Sequence, residues 1–393
     1  MNSFHFDGVI PASKSHFNRA LICASYASNV TLRGDSRSDD VQKMKKAISH
    51  LHDGLPFDCG SAGTVLRFLA LRVSRIPGTH ILKGSERLLA RPQDELDAIF
   101  NQVGVHLEKK PDQLIIHGQG WKLKNHSLKV SREISSQFAS AILLNAWNLD
   151  SDLVIEWDHF GVSEGYWQMS EQVVKDFGMT IALGKNSLTI AGHQKVKISS
   201  YTVESDLSSS FAIAAFAALN GQARFQQFPF QSLQPDKVFL QVLEKMGAIV
   251  ETTSDSAQVS KRKESLRGVH VNLNDCPDLF PVLATLCAFA NSTSRLDGAP
   301  HLIFKESNRI EKTAELLKAI GVKTQILPDG MQIMPDQPLT TQVAPFTYDT
   351  DHDHRLAFAA ALVASQGFPI QIINPQVVTK SFPEFWDIVR LNF

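Results

Sequence analysis

Residues 91–118 read RPQDELDAIFNQVGVHLEKKPDQLIIHG, and the order of the parts decides the fold. Leu96, Ile99, Phe100 and Val103 fall three and four apart, the spacing of one apolar helix face. Gly104 follows, where the end of a helix favours a residue free to take left-handed backbone. Beyond it, apolar and polar residues alternate on both sides of the turn pair Pro111–Asp112, the pattern of a half-buried hairpin.

The same order returns three times: WQMSEQVVKDFG (167–178), DKVFLQVLEKMG (236–247) and NRIEKTAELLKAIG (308–321) each run into two alternating segments split by a polar turn. Gly178, Gly247 and Gly321 stand where Gly104 stands. Two more amphipathic stretches, DDVQKMKKAISHL (39–51) and PEFWDIVRLNF (383–393), fit the same place with the hairpin trimmed. Repetition at this scale indicates a repeat-built fold. A chain of 393 residues exceeds the roughly 250–300 that one core supports, so six units imply two domains of three.

Between the amphipathic helices lie six segments of another kind: SKSHFNRALICASYA (13–27), SAGTVLRFLALRV (61–73), SSQFASAILLNAW (135–147), LSSSFAIAAFAAL (207–219), PDLFPVLATLCAFA (277–290) and DHRLAFAAALVAS (353–365). A helix apolar on nearly every face belongs inside a domain, three to each here. All six begin with small polar or charged residues. The start of a helix exposes unpaired N–H groups and a partial positive charge, which suits phosphate and carboxylate. Simple N-capping accounts for the Ser and Asp residues, but not for Lys14, Arg19, Arg67 and Arg355.

Composition narrows the function. Lys plus Arg (39) nearly balance Asp plus Glu (40), so no overall field draws the molecule to nucleic acid or an anionic membrane, and any anion must be held by a local cluster. The four cysteines fall singly, without metal-ligand spacing, and read as reduced, partly buried thiols. The start lacks a secretory pattern and no apolar run could span a bilayer, so a cytoplasmic location is expected. No Walker or dinucleotide glycine pattern precedes a helix, so neither ATP nor NAD is indicated. In DTDHDHR (349–355), His352, Asp353 and His354 could chelate, but no third and fourth ligand of a comparable cluster is evident, and neither a metal nor an organic cofactor is expected.

The residues at the helix starts resemble a known family. PASKSHFNRA (11–20) is similar to the PGSKSxSNRA signature of the 3-phosphoshikimate 1-carboxyvinyltransferase (EPSP synthase) family. SAGT with Arg67, Arg91-Pro92, Ser135–Phe138, Ser163 with Tyr166, Pro277-Asp278, Lys305-Glu306 with Arg309, Asp353–Arg355, and Lys380 ahead of FPEF follow in the family's order. The resemblance implies an α/β fold of two similar domains, each of three repeated β-α-β-α-β-β units with buried helices, described as an inverse α/β barrel. The first domain would span residues 14–204 and the second residues 1–13 plus 205–393, with the active site in the cleft between them.

It also implies a reaction: the 5-hydroxyl of shikimate 3-phosphate adds to C2 of phosphoenolpyruvate while C3 is protonated, then phosphate leaves as C3 loses a proton. Two phosphates and two carboxylates need converging Lys and Arg residues. By position, Lys14, Ser15, Arg19, Ser135, Ser136, Gln137, Ser163, Asp278, His301 and Lys305 would hold shikimate 3-phosphate, with Tyr166 beside them. Lys14, Gly63, Thr64, Arg91, Gln137, Arg309, Arg355 and Lys380 would hold phosphoenolpyruvate. Asp278 would accept the 5-hydroxyl proton and Glu306 with Lys14 would handle the C3 proton, while His354 would orient phosphate or share in proton transfer. A monomer is expected.

Several positions depart from the family. Ser61 stands in place of Asn, Ala12 in place of a hinge Gly, His301 in place of an Asn that contacts the phosphate, which would bring pH sensitivity. Leu279 and Phe280 add bulk behind Asp278. The charged residues remain, which indicates an active enzyme. Two other readings are a carboxyvinyltransferase acting on UDP-N-acetylglucosamine and a non-catalytic phosphometabolite-binding protein. The first normally has Lys-Asn where Lys14-Ser15 stands, and a loop cysteine that finds no counterpart between Cys59 and Cys276.

Overall fold

In a computed structural model describing residues 3–123, 126–158, 161–336 and 339–391, the four repeat glycines all have positive φ: 70° at Gly104, 96° at Gly178, 96° at Gly247 and 80° at Gly321. The next residue donates its N–H back over the turn each time: Val105 to Phe100 (2.9 Å), Met179 to Val174 (2.9 Å), Ala248 to Leu243 (3.0 Å) and Val322 to Leu317 (3.0 Å). This six-to-one bond closes a helix whose last carbonyls would otherwise lack donors.

The chain divides into two compact units, Ala12–Glu204 and Met1–Pro11 with Ser205–Phe393. Local bonding explains why the boundary falls at Ala12, two residues ahead of Lys14. The amides of Ala12 and Ser13 donate to Asp35 and Glu204, in the first unit, whereas the amide of Asp206 donates to Pro11, in the second.

Each unit carries the same sheets. Among the described residues of Ala12–Glu204 these are two four-stranded sheets and one of two strands, Thr31–Arg33 paired in parallel with Ser200–Thr202. The other unit repeats this, its two-stranded sheet being Phe346–Asp349 beside Ile370–Ile373. The two small sheets belong to the units whose hairpins are trimmed in sequence. Every four-stranded sheet begins with a parallel pair, such as Phe57–Asp58 with Gly78–Lys83, and ends in the hairpin that follows the repeat glycine. Parallel neighbours require a crossover, and the buried helix supplies it. Gly63–Ser74 links the pair just named, and Gln137–Leu144, Phe280–Ala288 and His354–Ser365 do the same elsewhere. Among the described residues the sheets are separate and none closes on itself, so "inverse barrel" describes only the placement of helices inside and strands outside.

The core of the first unit forms around Lys14–Ala24, Gly63–Ser74 and Gln137–Leu144, and that of the second around Leu207–Asn220, Phe280–Ala288 and His354–Ser365. Leu279 and Phe280 are fully buried in the second core, so their bulk is absorbed by packing behind Asp278. All four cysteines are free and buried, and burial pushes the Cys23 and Cys287 thiols up to about 12. Among the described residues, no helix is long and apolar enough to cross a membrane.

Candidate active site

In the unit Ala12–Glu204, the three buried helices pack on one another and their first turns are joined by side chains. Ser13 caps the first by accepting from the amide of His16 (3.4 Å), which leaves Lys14 at the first position, where it pairs with Asp40 (3.0 Å). One turn on, Asn18 Nδ2 donates to Thr64 Oγ1 (3.3 Å), tying this helix to the start of Gly63–Ser74. Arg67 in turn donates through Nη1 to Gln137 Oε1 (2.9 Å) and through Nη2 to the Pro92 carbonyl (3.1 Å), with its guanidinium 4.4 Å from the Phe138 ring centre.

Gly63 is required by close approach. A Cβ there would lie 3.0 Å from Arg91 Nη1 and 3.3 Å from Gln137 Oε1, so its absence lets the guanidinium and the amide meet above a helix start. Ser135 Oγ accepts from the Gln137 amide (3.2 Å), and Ser136 is buried beside it. Gly63, Thr64, Arg91, Ser135, Ser136 and Gln137 thus form one polar patch.

Arg19, expected to hold shikimate 3-phosphate, is fully buried and braces the unit. Nε donates to Ser170 Oγ (2.7 Å), Nη1 to the Ser15 carbonyl (2.7 Å) and Nη2 to the Tyr166 carbonyl (3.0 Å). Burial lowers its pKa to about 10. It fixes Ser15 relative to Tyr166 and to Ser163, a buried non-glycine residue held at φ 59° where the helix Glu164–Asp176 begins.

The second unit assembles its groups around Arg309, 1% exposed at the start of the helix Arg309–Ala319. Nη1 donates to Asp278 Oδ1 (2.8 Å), Nη2 to Glu306 Oε2 (3.1 Å) and Asp353 Oδ1 (3.3 Å), and Nε to Asp353 Oδ2 (2.8 Å). Arg355 Nη2 reaches the other oxygen of Asp278 (3.0 Å) and Lys380 Nζ the other oxygen of Glu306 (3.2 Å). Asp353 also accepts from Ser307 Oγ (3.0 Å) and caps the helix His354–Ser365 through the Arg355 amide (2.9 Å). Asp278, Glu306, Arg309, Arg355 and Lys380 therefore meet, with Lys305 near enough to act on Asp278.

Burial alone would push the Asp278 carboxyl up. Arg355, Arg309 and Lys305 outweigh it, against a smaller opposing effect of Glu306, and hold it well below the usual carboxylate range. His301 is buried in the turn Pro300–Phe304 with neither ring nitrogen hydrogen-bonded. Burial and the nearby Lys305 and Arg309, against Asp278, lower its pKa to about 3. The ring is therefore neutral around pH 7, and its gain of a proton is moved into the acidic range. His354 is buried with its ring edge-on to Phe358 (5.8 Å).

Two groups escaped the sequence reading as parts of the site. Asp353 reads in the sequence as a capping residue at the start of an apolar helix, and its bonds to Arg309 come from a residue 44 positions away. Capping leaves Arg67 unexplained, and its partners come from segments 25 to 70 residues away and leave no local pattern.

The family model of EPSP synthase (3-phosphoshikimate 1-carboxyvinyltransferase) matches residues 9–389. The chain belongs to the EPSP synthase family. A 3-phosphoshikimate 1-carboxyvinyltransferase of Trichormus variabilis is 30% identical over 96% of this chain and 94% of its own. One from Clostridium acetobutylicum is 30% identical over 97% of this chain and 93% of its own. In fold, the chain matches an EPSP synthase from Acinetobacter baumannii with a TM-score of 0.78, over 99% of this chain and 95% of that one, at 21% identity. Members of the EPSP synthase family are enolpyruvyl transferases of the shikimate pathway to the aromatic amino acids.

Proposed function

We propose that this chain transfers the enolpyruvyl group of phosphoenolpyruvate to the 5-hydroxyl of shikimate 3-phosphate, releasing phosphate by addition and elimination. The observation that carries the reading is the fan of bonds from Arg309 to Asp278, Glu306 and Asp353, with Arg355 and Lys380 on the outer oxygens. Guanidinium groups suit planar, bidentate anions, and those here are already fixed in place.

The phosphoenolpyruvate contacts are assigned to Arg309, Arg355, Lys380, Lys14, Gly63, Thr64, Arg91 and Gln137. Shikimate 3-phosphate is assigned to Ser15, Ser135, Ser136, Gln137, Ser163, Asp278, His301 and Lys305, with Lys14 common to both ligands. Arg19 serves this site by holding Ser15 and Tyr166 through one N–H of each terminal nitrogen. A neutral His301 with unengaged nitrogens can donate to or accept from a ligand oxygen at any working pH.

Proton transfer follows from how the charges are held. Asp278 is too acidic to be an effective base while Arg355 and Arg309 grip it. An incoming carboxylate or phosphate that draws those guanidinium groups away raises its basicity, so substrate binding prepares Asp278 to take the 5-hydroxyl proton. Glu306, between Arg309 and Lys380, and Lys14 are assigned the C3 proton. The buried His354 fits the orienting part of its expected role. The test is phosphate release from the purified chain with phosphoenolpyruvate and shikimate 3-phosphate. Release only with UDP-N-acetylglucosamine as acceptor, or tight binding of both ligands without release, overturns the proposal.

A further inference from the structure

On the strand His106–Lys110 side chains alternate between faces, so His106 and Glu108 project to the same side. The strand pairs antiparallel with Gln113–Gly118, in a register that sets His106 opposite His117. The three side chains converge. His117 Nε2 lies 2.9 Å and His106 Nε2 3.8 Å from Glu108 Oε1, and the two imidazoles stack with centres 5.2 Å apart. The opposite face, through Leu107, Leu114 and Ile116, packs on the core, so the cluster stands on a supported edge hairpin and faces water.

We propose that His106, Glu108 and His117 form a binding site for one divalent d-block ion, Zn²⁺ being the best match. Two imidazoles and a carboxylate are borderline ligands that suit Zn²⁺, Cu²⁺ or Ni²⁺ and not Mg²⁺ or Ca²⁺, which take oxygen. One ligand atom from each residue lies within 4.8 Å of the others. Ligands about 2 Å from a tetrahedral ion stand roughly 3.3 Å apart, within reach by side-chain rotation alone. Thr79 Oγ1, on the neighbouring strand, contacts His117 Nδ1 at 3.2 Å, which leaves Nε2 facing the carboxylate and supplies the outer hydrogen bond that metal-binding histidines commonly have. Lys110 shares this face and opposes a cation, but it lies beyond Glu108 and away from the pair of rings.

The site is distinct from the groups assigned to enolpyruvyl transfer, and its ion would clamp the edge strand to its neighbour. Side-chain exposures of 70% for His106, 42% for Glu108 and 38% for His117 leave room for water to complete the coordination. Isothermal calorimetry of the full chain with ZnCl₂ is expected to show one ion bound. His117→Asn, His106→Asn and Glu108→Gln should each weaken binding by at least about tenfold. Zn²⁺ should also raise the melting temperature of the parent chain and not that of the doubly substituted H106N/H117N chain. His106 is exposed and Glu108 and His117 are half-buried, and a metal-free melt establishes that each variant folds. The absence of binding heat in the parent chain, or undiminished affinity in H106N/H117N, overturns the site.

Discussion

Asp353→Asn alters the least exposed charge around Arg309 while keeping the side chain's shape. Asp353 is 0% exposed and its oxygens serve Arg309 Nε and Nη2, Ser307 and the Arg355 amide. An asparagine that keeps its oxygen on the Arg355 amide turns its amino group toward Arg309 Nε, so donor meets donor there, while the Ser307 hydroxyl can turn to accept. Removing one partner of a buried ion pair costs about 3–5 kcal/mol. Arg309 retains Asp278 and Glu306, which places the expected loss near the lower end, about 3 kcal/mol. Asp353→Ala should lose about 1 kcal/mol more, because the helix cap goes as well.

The functional effect has a different origin. With Nε no longer held, the guanidinium can pivot about its bonds to Asp278 and Glu306, and a shift near 1 Å in a positioning group can cost on the order of 100-fold. Urea unfolding would give the stability change, read at the transition of the unit containing Ser205–Phe393. Phosphate release at varied phosphoenolpyruvate would give kcat/KM. A variant that unfolds at the parent midpoint and keeps the parent kcat/KM would refute the account of Asp353 as the fixed anchor of Arg309.

Three further outcomes are expected. Lys14→Met should lose nearly all turnover in the phosphate-release assay, and a normal rate would remove Lys14 from the site. Gly63→Ala places a methyl 3.0 Å from Arg91 Nη1, so KM for phosphoenolpyruvate should rise several-fold while the melting temperature barely moves; an unchanged KM would show that the Arg91 guanidinium yields freely. His301 titrates near 6.5 when unfolded and near 3 when folded, so between these values the unfolded chain binds the additional proton and stability falls as pH falls. His301→Asn should therefore make unfolding midpoints less dependent on pH between about 6.5 and 4, and an unaltered slope would mean that the buried ring is not responsible.

The repeat was legible because its signals are local. An apolar stripe, a left-handed glycine and an alternating hairpin lie within 28 residues at 91–118, and the same backbone bond recurs after all four glycines. The buried helices were equally plain from their apolar circumference. Partnership was less accessible. The resemblance assigns Arg19 to shikimate 3-phosphate, but its bonds to Ser170 and two carbonyls are set by packing between helices about 150 residues apart, which no local pattern records. The hairpin histidines show the intermediate case. The two-residue turn at Pro111–Asp112 pairs Lys110 with Gln113 and hence His106 with His117, so the juxtaposition follows from sequence once the turn length is known.

Graded exposure among the three carboxylates around Arg309 separates roles that residue type leaves equal. Asp353 is 0% exposed, Glu306 15% and Asp278 23%. A group sealed from solvent and committed to a serine, a helix cap and two guanidinium nitrogens has no freedom to exchange partners, so Asp353 stays with Arg309 throughout. Asp278 and Glu306 retain access to solvent and share their cations, Asp278 with Arg355 and Glu306 with Lys380. A substrate anion can take over either cation without stranding a buried charge, since the displaced carboxylate can turn to water or to a proton. The two carboxylates to which the proposed reaction assigns proton transfer are thus the two that are partly open, and the closed Asp353 holds Arg309 between them.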